Sequence, residues 1–327
     1  MKGILRLASS ALAFVVASAA MAGTLTVTSP NNGDFLGKTN TLRFNIRNSV
    51  VQVTVRATVT RDANPSEKIT VEKRFTPDGD GKITGDIALN FNEGTPEGNY
   101  TIKVEAIEPN NAYNTETRNV VVDTKVPEFF EFNPITNSFV KGVVPIRVRL
   151  NEPNLKEWRV QIGSQDIPNN SGNQPNFTVF WDSANVQRDG QQTINIKVDD
   201  EANNSVTKSI TVTLDRIAPV IQVLGPTATP VNPGTDIPVA ININDQFERS
   251  ILQPGVTVVA KTMDGQFIAN VARKGTRTSG NTLQWTGRIK WQNNLPGKFK
   301  IVVTAVDRAG NRGASQEVVV TIRGRGR

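Results

Sequence analysis

The chain has 327 residues, room for two or three domains of about 100–200 residues each, and it contains neither cysteine nor histidine. Their absence excludes disulfide-stapled cores, thiol chemistry, histidine-ligated zinc, Cys–His and Ser–His–Asp sites and a histidine general base. The formal net charge of +7 is unevenly placed: residues 24–125 carry 12 basic and 13 acidic side chains, residues 126–216 carry 9 and 11, and residues 217–327 carry 14 and 6.

The first element is a targeting segment. Lys2 and Arg6 precede an apolar, uncharged run from Leu7 to Ala20, and Ala20-Met21-Ala22 places small residues where a signal peptidase cuts. Residues 1–22 are therefore predicted to be a cleavable signal peptide, with Gly23 as the first residue of the mature chain. The run is too short to span about 30 Å of hydrocarbon as a helix. No transmembrane segment is predicted in the mature chain, which is expected in the periplasm, at the cell surface or outside the cell.

From Thr24 onward one pattern occurs three times. Ser29-Pro30 precedes the alternating run Leu42–Ile46, Asn133-Pro134 precedes Ile146–Leu150, and Gly225-Pro226 precedes Ile237–Ile243. Third strands follow at residues 51–59, 158–162 and 256–260, the second of them opening on Trp158, which is expected in a core. Each repeat then ends in a strand, a tight Asn/Gly turn and a returning strand: Gly98–Ala106 to Asn110-Asn111 to Val120–Asp123, Gly190–Asp199 to Asn203-Asn204 to Ile210–Asp215, and Gly297–Ala305 to Gly310-Asn311 to Val318–Ile322. Period-two alternation, as in Ile102, Val104 and Ala106 against Thr101, Lys103 and Glu105, is that of a half-buried strand, and Asn-Asn or Gly-Asn tolerates the backbone a hairpin requires. Proline marks the joins at Asp123–Pro127 and Asp215–Pro219. The predicted organisation is a signal peptide (1–22), three β-sandwich domains (23–125, 126–216, 217–323) and a basic tail (324–327). Sandwiches of about 30 Å placed in line would make a rod on the order of 100 Å long.

The repeat endings, with Gly-x-aromatic, alternating apolar residues, Asp307-Arg308-Ala309-Gly310-Asn311 and a final β-run, resemble tandem bacterial immunoglobulin-like domains, as do the Asp-x-x-x-Pro joins. The resemblance covers residues 24–323 and implies an all-β fold and a non-enzymatic role as stalk, spacer or envelope component. Repeat two departs from it, with Gln192 in the place of the aromatic residue.

Three groups of residues are candidates for a site. Asp78 and Asp80 lie in Thr76–Ile83, which resembles part of a calcium loop, but Thr76 stands where the first acid belongs and a hairpin turn uses the same Asp and Gly residues; the turn is the favoured reading, no cofactor is expected, and weak calcium binding is the one candidate. Asp199, Asp200 and Glu201 face the Asn203-Asn204 turn, with Asp215 close in sequence at the join; a solvated loop is the favoured reading, and a cation shared among these oxygens is the alternative. In the basic third repeat, Arg273, Lys274 and Arg277 form one loop. Arg288 and Lys290 alternate with Trp285, Ile289 and Trp291, and Lys298 and Lys300 alternate with Phe299 and Ile301. If the last two strands share a sheet, these seven basic side chains make an outer stripe for an anionic envelope polymer. The alternative partner is another envelope or appendage protein, docked by edge-strand pairing. Nucleic acid is disfavoured, because the Arg323, Arg325 and Arg327 tail on an exported chain meets envelope anions first.

Overall fold

A computed structural model describes residues 23–109, 113–227, 230–292 and 295–324; the predicted signal segment, the Asn110-Asn111 turn and the tail arginines Arg325 and Arg327 lie outside them. The chain divides into two compact units, one of residues up to 126 together with 201–204, the other of residues 127–200 and 205–327.

In the first unit, β1 (Thr24–Ser29), β3 (Thr39–Arg47) and β6 (Ile83–Asn90) form one sheet. The facing sheet runs β2 (Phe35–Leu36), β8 (Tyr113–Val122), β7 (Gly98–Ile107), β4 (Val53–Arg61), β5 (Asn64–Phe75). The short β2 pairs in parallel with β8, whereas the neighbouring strands of both sheets are antiparallel. Alternation decides which side chains go inside. Leu42, Phe44 and Ile46 of β3 meet Val55, Ala57, Ile102 and Val104 of the other sheet in one buried cluster. The aromatic residue of the repeat ending is Tyr100, buried, with its hydroxyl donating to the Pro96 carbonyl at 2.7 Å.

The second unit holds two more sandwiches on the same plan. In the first of them β9 (Glu128–Asn133), β11 (Val143–Asn151) and β14 (Asn176–Asp182) face β10 (Phe139–Val140), β12 (Leu155–Ile162), β13 (Gln165–Gly172), β15 (Gly190–Asp200) and β16 (Ser205–Leu214). In the other, the sheet β17-β18-β22-β21 packs on β20-β19-β23-β24. These strands are β17 (Val220–Gly225), β18 (Ile237–Asn244), β19 (Ile251–Lys261), β20 (Phe267–Asn270), β21 (Ala272–Ser279), β22 (Thr282–Ile289), β23 (Lys298–Asp307) and β24 (Gln316–Thr321). β10 pairs in parallel with β16, and a single parallel bridge between Val231 and Ile322 takes that place in the third sandwich.

Each sandwich has its own buried apolar cluster. The all-β expectation is met: helical structure among the described residues is limited to the 3-10 turn Ser183–Asn185. Trp158 lies in the second core as expected. Gln192, in the place of the aromatic residue, is half-buried, and its neighbours Ile194 and Ile196 carry the strand into the core.

Candidate functional site

The feature of the second unit that burial alone does not explain is the joint between its two sandwiches. β16 ends at Leu214, and Asp215 stays in the ladder by donating its N–H to the Val140 carbonyl at 3.0 Å. Five residues on from Asp215, β17 begins, so the third sandwich starts almost where the second stops. Two further acids come from the near end of the third sandwich. Asp245 follows the last residue of β18, and Asp307 is the last residue of β23, after which a turn with Gly310 in the left-handed region (φ 83°) reverses the chain. The carboxylates of Asp215, Asp245 and Asp307 each place an oxygen within 4.8 Å of the others, and the residues are 0, 7 and 7 % exposed.

Neutral donors hold one oxygen each of Asp215 and Asp245 and both oxygens of Asp307. Asp215 Oδ1 accepts from Gln246 Nε2 at 2.8 Å and from the Ile217 N–H at 3.3 Å. Asp245 Oδ1 accepts from the Gln246 N–H at 2.6 Å. Asn311 donates its N–H to Asp307 Oδ1 and its Nδ2 to Asp307 Oδ2, both at 2.8 Å, and Nδ2 also reaches the Asp215 carbonyl at 2.9 Å. Asp215 Oδ2 is buried without a donor.

The nearby positive charges are engaged elsewhere. Arg216 holds Asp189 through its N–H at 2.8 Å and Nε at 2.6 Å, and the Arg308 guanidinium lies 4.8 Å from the centre of the Phe139 ring. Phe139 of the second sandwich also meets Phe247 of the third edge-on, with centroids 6.3 Å apart.

This environment is costly for negative charge. Two carboxylates about 4–5 Å apart repel by roughly 3–4 kcal/mol at an effective dielectric near 20. Burial, reinforced by the charges of Asp245 and Asp307, pushes the Asp215 carboxyl up to about 6, and burial raises Asp245 as well. Asp189 behaves in the opposite way: burial works against it, but the N–H and guanidinium of Arg216 and the Gln246 amide hold it below the usual carboxylate range. Only hard oxygen donors converge at the three acids, so they suit protons or an oxygen-loving cation.

The joint reuses residue positions of the repeat. Asp123, Glu152 and Asp200 stand in sequence where Asp215, Asp245 and Asp307 stand one repeat later. That recurrence was available from the sequence, but reading it from one join missed Asp245 and Asp307. The expected grouping of Asp215 with Asp199, Asp200 and Glu201 is not what the fold makes. β15 and β16 are antiparallel, with Gly190 opposite Leu214 and Asp199 opposite Ser205, so these acids lie at opposite ends of the hairpin. Asp199 pairs instead with Lys197 at 2.7 Å.

Asp78 and Asp80 lie together in the turn between β5 and β6. Asp78 Oδ1 accepts the Asp80 and Lys82 N–H groups at 3.0 and 2.8 Å, so that oxygen organises the turn, and both residues are exposed.

The basic stripe divides. β22 pairs with β18 and β21, whereas β23 pairs with β19 and β24 in the opposite sheet. The connection between β22 and β23 crosses the sandwich. Inward alternation on both strands then turns the two basic rows to opposite outer faces. Arg273, Lys274 and Arg277, expected in a loop, lie on the edge strand β21 and are exposed on the β21–β22 side with Arg288 and Lys290; Arg288 is 3.1 Å from Asp236. Lys298 and Lys300 are on the other sheet, and Lys300 is paired with Glu317 at 3.1 Å.

No family model matches the chain, and no curated protein matches it. Among solved structures it is similar to the I-band fragment I67–I69 of titin, at 12% identity over 93% of this chain and 100% of that one, with a TM-score of 0.38. It is also similar to fibronectin(III)-like modules of Clostridium thermocellum CbhA, at 13% identity over 61% of this chain and 94% of that one, with a TM-score of 0.39. A third is the tetra-tandem repeat in the extending region of a large adhesion protein, at 19% identity over 92% of this chain and 74% of that one, with a TM-score of 0.30. The two-sheet sandwiches, the parallel contact of a short second strand with the last strand, and their repetition decide the fold. The fold is a tandem array of immunoglobulin-like β-sandwiches. Among its described residues no helix is long and apolar enough to cross a membrane.

Proposed function

We propose that this tandem immunoglobulin-like protein is an exported, non-enzymatic structural or adhesion-type component of a bacterial cell envelope, in which the third domain meets an anionic envelope polymer. The observation that carries the reading is the third domain's unbalanced charge, 14 basic against 6 acidic side chains over residues 217–327, with five of the basic ones exposed on the β21–β22 side. Docking by edge-strand pairing is the second reading. β21 ends its sheet with its outer edge unpaired, and every residue in it but Gly275 is exposed. Arg273, Lys274 and Arg277 lie on that strand, and charge on an edge discourages strand addition, which favours the ionic reading.

The test is retention of the full chain on an anionic envelope polysaccharide across a salt series. Retention is expected to fall steeply by about 0.3 M salt, as multi-contact ionic binding does. Reversal of Arg277, Arg288 and Lys290 to Glu is expected to abolish retention without unfolding, because the one ion pair lost, Arg288 with Asp236, is exposed and worth at most about 1 kcal/mol. Salt-independent retention, or none, would overturn the ionic reading.

Export has its own check. Gly23 is buried, its N–H donates to Glu108 Oε1 at 3.1 Å, and a Cβ at this position would sit 2.9 Å from the Arg47 carbonyl oxygen. Cleavage after Ala22 is expected to leave Gly23 as the N-terminus found by mass spectrometry of the protein from its host. An intact Met1 on the soluble cytoplasmic protein would contradict export.

A further inference from the structure

We propose that Asp215, Asp245 and Asp307 bind a calcium ion that clasps the second domain to the third. The proposal stands on the joint and is independent of the basic face and its polymer.

The geometry is that of a built site. Oxygens from three carboxylates come within 4.8 Å of one another, so an adjustment of at most a few tenths of an ångström lets one ion bonded at about 2.3–2.6 Å touch all of them. The acids arrive from both domains, one from the end of β16 and two from the third sandwich, so an ion held among them ties the domains directly. Gln246 and Asn311 orient the carboxylates through neutral amides, as outer-shell partners of metal ligands do.

The second line of support is what the site lacks a use for. Asp215 is fully buried, yet its Oδ2 has no donor. Buried acceptors are ordinarily satisfied. Among the described residues no lysine or arginine nitrogen forms an ion pair with any of the three acids, while Arg216 and Arg308 next to them are turned to Asp189 and Phe139. A divalent cation supplies the missing positive charge and the missing partner at once. The choice among metals follows from donor type: all-oxygen sites select hard cations, and calcium accepts irregular sets of six to eight oxygens, with water or main-chain carbonyls completing the shell.

The experiment uses the mature chain stripped with a chelator and titrated with calcium chloride by calorimetry. Wild type is expected to bind, and Asp245→Asn and Asp307→Asn are each expected to lose one calcium equivalent. Asp78→Asn/Asp80→Asn is expected to retain it, which separates the joint from the β5–β6 turn. Asparagine keeps the size of the side chain and relieves like-charge repulsion, so these variants are expected to fold. A local readout accompanies binding: tryptic cleavage after Arg216, in the linker, is expected to slow at least tenfold with calcium in wild type and not in Asp245→Asn. Three results would overturn the proposal. They are calcium stoichiometry unchanged in Asp245→Asn, cleavage at Arg216 indifferent to calcium in wild type, and binding of magnesium without calcium.

Discussion

Replacement of Trp158 by alanine is expected to destabilise the second domain by about 3–5 kcal/mol, the range for removing a large buried aromatic side chain. Trp158 is 6% exposed and stacks on Phe177 with ring centroids 3.8 Å apart and planes 10° from parallel. Its Nε1 donates to the Gln174 carbonyl at 3.0 Å, so truncation also strands an acceptor near the core. The strand beside it is shaped to the ring: a Cβ on Gly172 would lie 2.6 Å from the indole Cζ2, so glycine is what lets β13 pass over the ring. A sandwich of this size has about 5–15 kcal/mol to lose, so alanine brings it close to unfolding at room temperature. Denaturant titration of the full chain, followed by a probe specific to the second domain, measures the loss. Trp158→Phe is expected to lose markedly less, since it keeps the stack and loses the hydrogen bond. A change under about 1 kcal/mol in the alanine variant would mean that the stack and bond contribute little.

The same reasoning corrects a sequence-level expectation for the third domain. The alternation Trp285, Ile289, Trp291 points all three inward, and on that basis Trp291 is as central as Trp285. In the structure Trp285 is 4% exposed and lies within the third core, whereas Trp291 is past the end of β22 and only packs against its margin. Period two says which face a side chain takes, but where the opposing sheet ends decides how deeply it is buried.

That distinction runs through what was legible in the sequence. Strands and the turns at Asn203-Asn204 and Gly310-Asn311 rest on local signals, namely alternation and Asn/Gly turn chemistry, and they appear at the expected places. The pairing of β22 with β18 rather than with β23 is a non-local fact. Strands adjacent in sequence belong to different sheets there, and nothing in Trp285–Lys290 or Lys298–Ile301 encodes the crossing. The carboxylate cluster is non-local in the same sense. Asp215 precedes a proline join and Asp307 opens a turn, both local features, but their meeting with Asp245 needs β18 and β23 to end at the same pole of the sandwich as the linker.

In the absence of a divalent cation, the stability of the full chain is expected to carry a component that falls as pH rises from about 4 to about 6, and Asp215→Asn is expected to remove it. The cause is burial first, followed by the charges of Asp245 and Asp307, which together push the Asp215 carboxyl up to about 6. In the unfolded chain an aspartate titrates near 3.9, roughly two units lower. Between those values the folded chain binds a proton that the unfolded chain has released, so raising the pH favours unfolding; below about 4 both states are protonated and above about 6 both are ionised. A carboxyl held at about 6 therefore costs the folded protein on the order of 3 kcal/mol once it is charged. Carboxylates held low, such as Asp189 and Asp199, give a slope of the opposite sign at lower pH, and subtracting the Asp215→Asn curve cancels them because they are common to both chains. If calcium occupies the joint, it displaces the proton and favours the ionised form. Its stabilising effect should then be small at pH 4 and complete by about pH 7, closing the gap between wild type and variant as pH rises. Denaturant unfolding of both chains from pH 4 to 7, with chelator and with calcium, measures each part. A wild-type-minus-variant difference that is flat or rises over that window in chelator would mean that burial does not tax the Asp215 charge, and the electrostatic account of the joint would fail with it.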